Sequence, residues 1–487
     1  MGAASELVAL LRVYWALFLG NIVEWYEFAI YGYLVHALED QFFRGSSVAT
    51  WLGYAVSFVA RPLGGVVLGF AGDRLGRSAA VNISFAGMLI GTVGQGCVPS
   101  FASGNIAGTF GLALLVVLRF LQGLCAAGEI STISTYITEV GSPGSLGRSI
   151  SLISITANLG FLLANASVYA VTAIFGEAAV HAWAWRVPYI LALVPGLVAV
   201  VGRRAMPESG AFLEHRRQKE ERQPSADEED AEEAPAPGAA KAQAPAHWQA
   251  APLGPWAGNI VLGICGVAAH GVFQYGGFVF LQAYLKQRGL AAVDGLWAGL
   301  CARILMSLLA LPVGWLVDRK GVAWVNWVGA LMTLLGGLPL FMLLQEHPSD
   351  SSVAILVLGV ACAIPGVMAG ATIFLYLVEL FPVAVRGTAV GISWNVGMTI
   401  FGGFAPILAQ ASLGVTPFGP GLILSFGGLV SACSISWSLC RRRSGGQPLT
   451  HVRHVPYFSS SLLCKCFDDS KCPDDSKTDA PGESLQQ

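Results

Sequence analysis

Two charged turns recur at almost the same spacing along this chain, and that repetition narrows what it can fold into. The first, Gly72-Asp73-Arg74-Leu75-Gly76-Arg77, closes the glycine-rich apolar stretch RPLGGVVLGFAGDRLGR that begins at Arg61. The second, GWLVDRKG, runs from Gly314 to Gly321, so that Asp73 and Asp318 lie 245 positions apart. Another pair keeps nearly the same step. Glu139 with Pro143 and Gly147-Arg148 answers Glu379 with Pro382 and Arg386-Gly387, the glutamates being 240 apart. Two unrelated turns repeating in step predict an internal duplication, an arrangement that recurs in membrane transporters.

Between the turns the chain is too apolar to face water. Charged residues make up 12% of its 487 positions and hydrophobic ones 54%, about half the charge of a soluble domain. Mean hydropathy is +0.61. Apolar runs of about 20 residues, each able to cross a hydrocarbon core of roughly 30 Å, recur about twelve times. A net charge of −2 makes no case for nucleic acid. The ten cysteines are scattered singly except for three near the C-terminus, which is no disulfide framework. The first residues carry acids inside their apolar run and show no cleavable signal.

Positive charge falls in every second connection or in the tail: Arg74, Arg77, Arg148, Arg203, Arg204, Arg216, Arg217, Arg319, Lys320, Arg386 and Arg441 to Arg443. The alternate connections hold little beyond Arg44, Lys286 and Arg288. The positive-inside rule then predicts cytoplasmic termini and an even number of spans, which twelve satisfies. The expected units are a six-helix half at 1–205, a linker at 206–255, a second six-helix half at 256–440 and a cytoplasmic tail at 441–487. The linker, with DEEDAEE and APAPGAAKAQAPA, cannot bury enough apolar area to fold, apart from a short amphipathic helix expected near Ala211 to Arg222. The tail shows no heptads.

Polar groups inside spans are the candidates for function, because a carboxylate at mid-bilayer costs about 2.5–3.5 kcal/mol on insertion scales. On the first span, about Trp15 to Val35, Asn21, Glu24, Glu27 and Tyr31 share one helical face. On the fourth, Arg119, Gln122, Ala126 and Glu129 share another, beside Gly123, Ala127 and Gly128, which let helices approach closely. Arg119 and Glu129 would stand about 15 Å apart. The plainer reading of each charge is an ion pair that only fixes packing; the other is an ion or substrate path. Arg61 and Arg303 are 242 positions apart and so related by the repeat. Their guanidinium forks suit a carboxylate, although Arg61 could instead snorkel to a headgroup. Asn158 and Asn165 share a face of the fifth span, His270 and Gln274 stand at i, i+4 beside Tyr275 on the seventh, and Asn395 is the polar handle of the eleventh. His270 reads either as a titrating group or as a neutral ring bonded to a backbone carbonyl. Trp183, Trp185 and Arg186 are expected to anchor the outer interface. Pro406 and the glycines between 391 and 403 should make the eleventh helix bendable.

Read in order, GNIVEWYEFAIYG, RPLGGVVLGFAGDRLGR, RFLQGLCAAGEI, WAWRVPY, MPESGAF and VELFPVAVRGT resemble the signatures of the metabolite:proton symporters. These are a branch of the major facilitator superfamily that includes bacterial proline/betaine, ketoglutarate and shikimate carriers. The resemblance runs from about Gly20 to Arg441, the linker excepted. It implies an all-α membrane protein of the major facilitator superfamily fold, with about twelve transmembrane helices in two pseudo-symmetric halves that rock about a central cavity. The Asp-Arg-x-Gly-Arg turn is common to the whole superfamily, whereas the first-span, Arg-x-x-Gln-Gly and Trp-Arg-x-Pro signatures are more specific. Glu27 stands where the family usually has Asp, Ala127-Gly128 replaces a doubled glycine, and Val279-Phe280 replaces a Thr-Tyr. The coiled-coil tail of osmosensing members is missing, so osmotic gating is not expected.

The resemblance implies a secondary active transporter: proton-coupled symport of a small organic solute, carboxylate or zwitterion, by alternating access. Glu24, Glu27 or Glu129 would carry the proton. Arg61, Arg119, Gln122, Asn158, His270, Gln274, Arg303 and Asn395 would line the solute site. Asp73, Arg74, Arg77, Asp318 and Arg319 would form cytoplasmic latches, with Asp73 against a helix N-terminus of the other half. Burial and a neighbouring arginine act in opposite senses on a carboxylate's proton affinity, so a solute that engages the arginine alters proton binding, and reciprocally. No cofactor beyond the proton gradient, no metal and no enzymatic activity are expected, since there is no His-Glu-x-x-His and no nucleophile elbow. The expected partners are the solute, protons and the lipid bilayer, for a monomer in the plasma membrane. Two other readings stand. MPESGAF also suits a sugar porter or uniporter, though the seventh span lacks paired glutamines, and a non-transporting nutrient sensor could use the linker or tail as its arm. In the tail, Cys464 and Cys466, next to apolar and basic residues, are candidates for palmitoylation; Cys464, Cys466 and Cys472 with His451 and His454 could instead hold zinc, though their spacing matches no standard finger.

Overall fold

A computed structural model describes residues 3–75, 77–204 and 253–443. The side chains of Asp73, Arg74 and Arg77 lie outside the described residues. So do most of the linker, with its expected helix at 211–222, and the tail from 444 with its cysteines and histidines.

Among the described residues all regular structure is helical. Eight helices are long and apolar enough to cross a membrane, and two bent pairs qualify when each is taken as one span. Ser47–Leu75 and Arg77–Cys97, of 29 and 21 residues, are not among these and are numbered as spans on their length alone. In chain order, span 1 is Ser5–Val13 with Trp15–Tyr33, span 2 Ser47–Leu75, span 3 Arg77–Cys97, span 4 Asn105–Thr135 and span 5 Leu146–Phe175. Span 6 is Glu177–Ala184 with Arg186–Gly202 and span 7 Gly254–Gln287. Span 8 is Ala292–Lys320, span 9 Val322–Glu346, span 10 Ser351–Glu379, span 11 Val385–Ser412 and span 12 Gly419–Cys440. Six spans thus precede the long gap and six follow it.

The exposed surface of these helices is itself apolar, as at Val194, Leu308 and Leu335. A lipid solvent explains this, because an α-helix satisfies its own backbone and leaves only side chains to face hydrocarbon. Span 5 packs along span 8 and span 2 against span 11, so these four helices join the halves. Spans 9 and 12 pair at the flank. Small residues set the close contacts. A Cβ on Gly123 of span 4 would run into the backbone carbonyl of Ser57 on span 2, and one on Gly314 of span 8 would come within 2.7 Å of the Gly147 carbonyl oxygen.

Four spans contain π-helical turns: Val180–Ala184, Val272–Phe280, Ile355–Ala361 and Met398–Gly403. Such turns free backbone groups and concentrate at functional sites. The turn in span 11 falls among the glycines expected to bend it; that in span 7 holds Gly276-Gly277 and that in span 10 the single Gly359. One expectation is corrected. Trp185 is not an interface anchor but is fully buried, edge-on to Phe42 and Tyr189 with ring centroids 5.5 and 6.2 Å away. Arg186 stacks on it at 4.2 Å and donates to the Val98 carbonyl, while Trp183 remains about half exposed. Because the span 2–span 4 contact leaves no room for a side chain, Gly123→Val is expected to cost about 1–3 kcal/mol by overpacking. A lowered unfolding midpoint of the detergent-solubilised protein would register it; an unchanged midpoint would mean that the helices are not in this contact.

Candidate solute and proton sites

Span 8 carries Arg303 into the bundle at 0% exposure. Its Nη1 donates to Gln274 Oε1 at 3.0 Å and to Asn158 Oδ1 at 3.3 Å, so spans 5, 7 and 8, from both halves, meet at one guanidinium. Phe161 and Phe278 flank it with ring centroids at 4.0 and 4.6 Å. Nε and Nη2 make no hydrogen bond of good distance and angle, although the Tyr33 hydroxyl faces the same guanidinium, and among the described residues no carboxylate is ion-paired to Arg303. Aromatic faces offset part of the cost of burying a cation, yet donors left without acceptors in an apolar interior remain expensive. Both nitrogens keep the capacity to donate to a further acceptor.

An aromatic wall adjoins it. Tyr275, whose hydroxyl has no partner, is edge-on to Phe58 at 4.9 Å and 6.2 Å from Phe161. Trp25 lies 5.4 Å from Phe161 and 6.4 Å from Trp394. Trp394 packs against Phe374 and His270 at 5.0 and 5.6 Å. His270 sits among these rings with Nε2 unpartnered, not bonded there to a backbone carbonyl. Gln274, one turn away, turns to Arg303.

A second polar network joins spans 1 to 4. Arg61 Nη2 lies 3.3 Å from Glu24 Oε1, both groups fully buried, with Phe28 and Phe58 at 4.1 and 5.4 Å. Arg61 thus has its counter-charge within its own half, whereas its repeat partner Arg303 does not. Arg119 donates to Gln122 Oε1 and to the Tyr54 carbonyl, each at 2.9 Å, and lies 4.5 Å over Tyr31. Gln122 donates to Thr92 at 2.8 Å and accepts from Gln95 at 3.3 Å. Glu27 faces Thr92 and Gln122, but neither of its buried carboxyl oxygens has a hydrogen-bond partner. Glu129 is only half-buried at the end of this stretch. Asn395 donates to the Ala127 carbonyl at 2.9 Å and Thr399 to the Phe58 carbonyl at 2.7 Å, so both hold span 11 onto the first half. Asn21 ties span 1 to Ile153 and Thr156 of span 5, a packing role. Thr92 and Gln95 stand at i, i+3 in a span that reads as featureless, and that pair is the one signal that would have found them.

The two ends of the bundle differ. Asp318, ending span 8, accepts from the Gly147 amide and from Arg148 Nε, each at 2.6 Å. This closes the halves against the first turn of span 5, where unsatisfied N–H groups favour an anion. Arg319 instead stacks on Trp315 of its own helix at 3.9 Å. At the opposite end a cleft of about 580 Å³, counting space open to solvent, is lined by Gly32, Tyr33, His36, Thr172, Gln282 and Lys286, among others. Asp318→Asn removes a charged acceptor from two hydrogen bonds, a loss of about 1.5–3 kcal/mol for bonds to a charged group. Distances between spin labels at Gly144 and Lys320 are expected to lengthen in that variant; unchanged distances would deny the contact a latching role.

Comparison with known proteins places this geometry. The profile of the Major Facilitator Superfamily matches residues 17–406. The chain is 31% identical over 403 residues to the ectoine/proline transporter ProP of Corynebacterium glutamicum, covering 80% of this chain and 76% of that one. It is 26% identical over 426 residues to the citrate-proton symporter of Klebsiella pneumoniae, covering 85% and 89%. Among solved structures, the proton:xylose symporter XylE bound to 6-bromo-6-deoxy-D-glucose superposes with a TM-score of 0.68 at 16% identity, covering 93% of this chain and 99% of that one; at that identity the likeness concerns the fold. The long apolar helices and these matches agree: the chain is a multi-pass membrane transporter of the Major Facilitator Superfamily, in its metabolite:proton symporter family.

Proposed function

We infer that the protein couples the downhill entry of protons to the uptake of a small zwitterionic metabolite by alternating access. The observation that carries this reading is the contrast between the arginines. Glu24 neutralises Arg61, and Gln122 and the Tyr54 carbonyl occupy Arg119. Arg303 alone of the three combines unpartnered donors at both Nε and Nη2 with no carboxylate beside it. One available guanidinium matches one carboxylate, bidentate in the usual way. The adjoining rings of Trp25, Phe161, Tyr275 and Trp394 suit the cationic end of a zwitterion. A relative named for ectoine and proline supports this class. A relative named for citrate supports a second reading, a di- or tricarboxylate, which would also need Arg61 released from Glu24. In this account Asn158 and Gln274 orient Arg303, and His270 and Tyr275 offer further polar contacts.

Glu27 is the proposed proton carrier. It is fully buried and faces the Thr92 and Gln122 side chains of the Arg119–Gln122–Thr92 network. The Glu24–Arg61 pair would relay its state towards the aromatic wall, since Arg61 stacks on Phe58 and Phe58 on Tyr275. By the positive-inside rule the end bearing Arg148, Arg319 and Lys320 is the cytoplasmic one. The Asp318 latch then lies at the cytoplasmic end and the cleft at the outer one, with cytoplasmic termini in a plasma membrane.

The expected result for Glu27→Gln in proteoliposomes is that solute exchange persists while uphill, proton-driven accumulation is lost. A variant that still concentrates solute as the wild type does would remove Glu27 from the mechanism. Arg303→Lys keeps the charge but loses the planar fork, so solute affinity is expected to fall at least tenfold with proton leak unchanged. An unaltered KM would shift the carboxylate site elsewhere.

A further inference from the structure

The mouth of the cleft holds a cluster of charges that neither proposed site uses. Lys286, near the end of span 7, reaches from the second half to Glu177 Oε1 at 2.5 Å and to His181 Nε2 at 3.2 Å, both at the start of span 6 in the first half. His181 Nδ1 lies 2.5 Å from Asp40 Oδ2 on the short helix Val35–Phe42. Two more contacts cross the mouth, His36 Nε2 to the Ala283 carbonyl at 3.0 Å and Gln287 Nε2 to Ser47 Oγ at 3.5 Å. Together they form a counterpart, at the opposite end, of the Asp318–Arg148 contact.

The chemistry of the cluster depends on one proton. An ammonium group only donates hydrogen bonds, so the Lys286 contact requires His181 Nε2 to be an acceptor. The ring hydrogen then sits on Nδ1, facing Asp40. Only the neutral imidazole meets both partners in this way. A proton on Nε2 turns that acceptor into a donor aimed at an ammonium 3.2 Å away, while Asp40 keeps Nδ1–H. Glu177 Oε1, 3.9 Å from Nε2, is then shared between two cations instead of holding Lys286 alone.

The other groups facing His181 do not undo this. Glu39 and Asp40 come from the Val35–Phe42 helix, and Glu39 is occupied by Ser47 Oγ at 2.7 Å. His36, on the same helix, has its pKa pushed down to about 4 by burial and then by Lys286. It therefore stays neutral as pH falls through the usual imidazole range and keeps its bond to Ala283. Asp294 of span 8 is taken up by Ser351 Oγ, and Arg288 lies towards Tyr284.

The geometry points to a proton-operated outer gate, in which protonation of His181 releases Lys286 and parts the two halves at the mouth of the cleft. This goes beyond the carried proton, because the gating proton binds and leaves on the same side. It rests on the proposed orientation only in placing the mouth outside the cell. Acid outside would then both drive the solute and open its entrance.

The test is a distance that needs no transport. Spin labels attached by non-cysteine chemistry at Ile106 and Val415, 91% and 89% exposed at this end of opposite halves, are measured in nanodiscs at about pH 8 and about pH 5, either side of the imidazole range. In the otherwise wild-type chain the long-distance population is expected to rise several-fold on acidification. His181→Gln offers an acceptor to Lys286 and a donor to Asp40 without taking up a proton, and is expected to stay short at both pH values. Lys286→Met is expected to be long at both, and serves as the second variant should His181→Gln not fold. A wild type that does not widen, a His181→Gln that widens like wild type, or a Lys286→Met that still responds to pH would each overturn the gate. Loss of solute flux with these distances intact would count against the carrier reading and leave the gate standing.

Discussion

Three guanidinium groups, of Arg61, Arg119 and Arg303, are buried at 0% exposure in a bundle whose outer surface is hydrocarbon. A charge in that setting is costly unless the protein supplies partners, and the partners it supplies differ at each arginine. Arg61 has a carboxylate, Arg119 has an amide and a backbone carbonyl, and Arg303 has two side-chain amides and two phenyl faces. Only the last leaves two donor atoms unmatched without a counter-ion. The asymmetry is informative because the two halves are repeats. Arg61 and Arg303 stand at repeat-related positions, yet only Arg61 has a carboxylate opposite it. The half with this internal ion pair also contains Glu27, the proposed proton carrier.

Alternating access requires that the ends of the bundle not be open together. The carboxylate of Asp318 joins the halves at one end through a helix N-terminus and Arg148. Lys286 joins them at the other through Glu177 and His181. These contacts are few and polar, with partly exposed partners, so each is strong enough to bias an equilibrium without locking it. The packed contacts of spans 2 with 11 and 5 with 8 form the interface between the two bodies on which such a bias can act. Glycine faces such as Gly147 against Gly314 let those bodies come close with no side chain between them.

Much of this was legible in the sequence. Hydropathy indicated the helices, and the resemblance of the signature motifs implied the superfamily. The polar stripe of span 1 and the stepped Arg119–Gln122 face predicted which side chains point inwards, because helical periodicity is a property of one helix. What periodicity does not contain is how one helix is rotated against another. It therefore left open that Glu24 would face Arg61 while Gln122 satisfied Arg119, and that Gln274 would turn to Arg303 and away from His270. The aromatic wall was hidden for the same reason, as Trp25, Phe58, Phe161 and Trp394 read as ordinary core residues on four separate spans. Trp185 was misplaced because an interfacial tryptophan and a buried one look alike until the bend at span 6 is known. The π turn of span 7 holds Gly276-Gly277 much as that of span 11 holds Gly402-Gly403, a mark that went unread in the sequence, while that of span 10 has Gly359 alone.

The account's central claim is that a proton gradient drives a solute with one carboxylate into a site holding one available guanidinium. The most direct measurement is uptake of labelled proline and of labelled ketoglutarate by proteoliposomes bearing the purified protein, with and without an imposed acid-outside gradient. Accumulation of proline above its external concentration, present only with the gradient and abolished by a protonophore, is the expected result. Gradient-driven accumulation of ketoglutarate and not proline, or equilibration indifferent to the gradient, would contradict it.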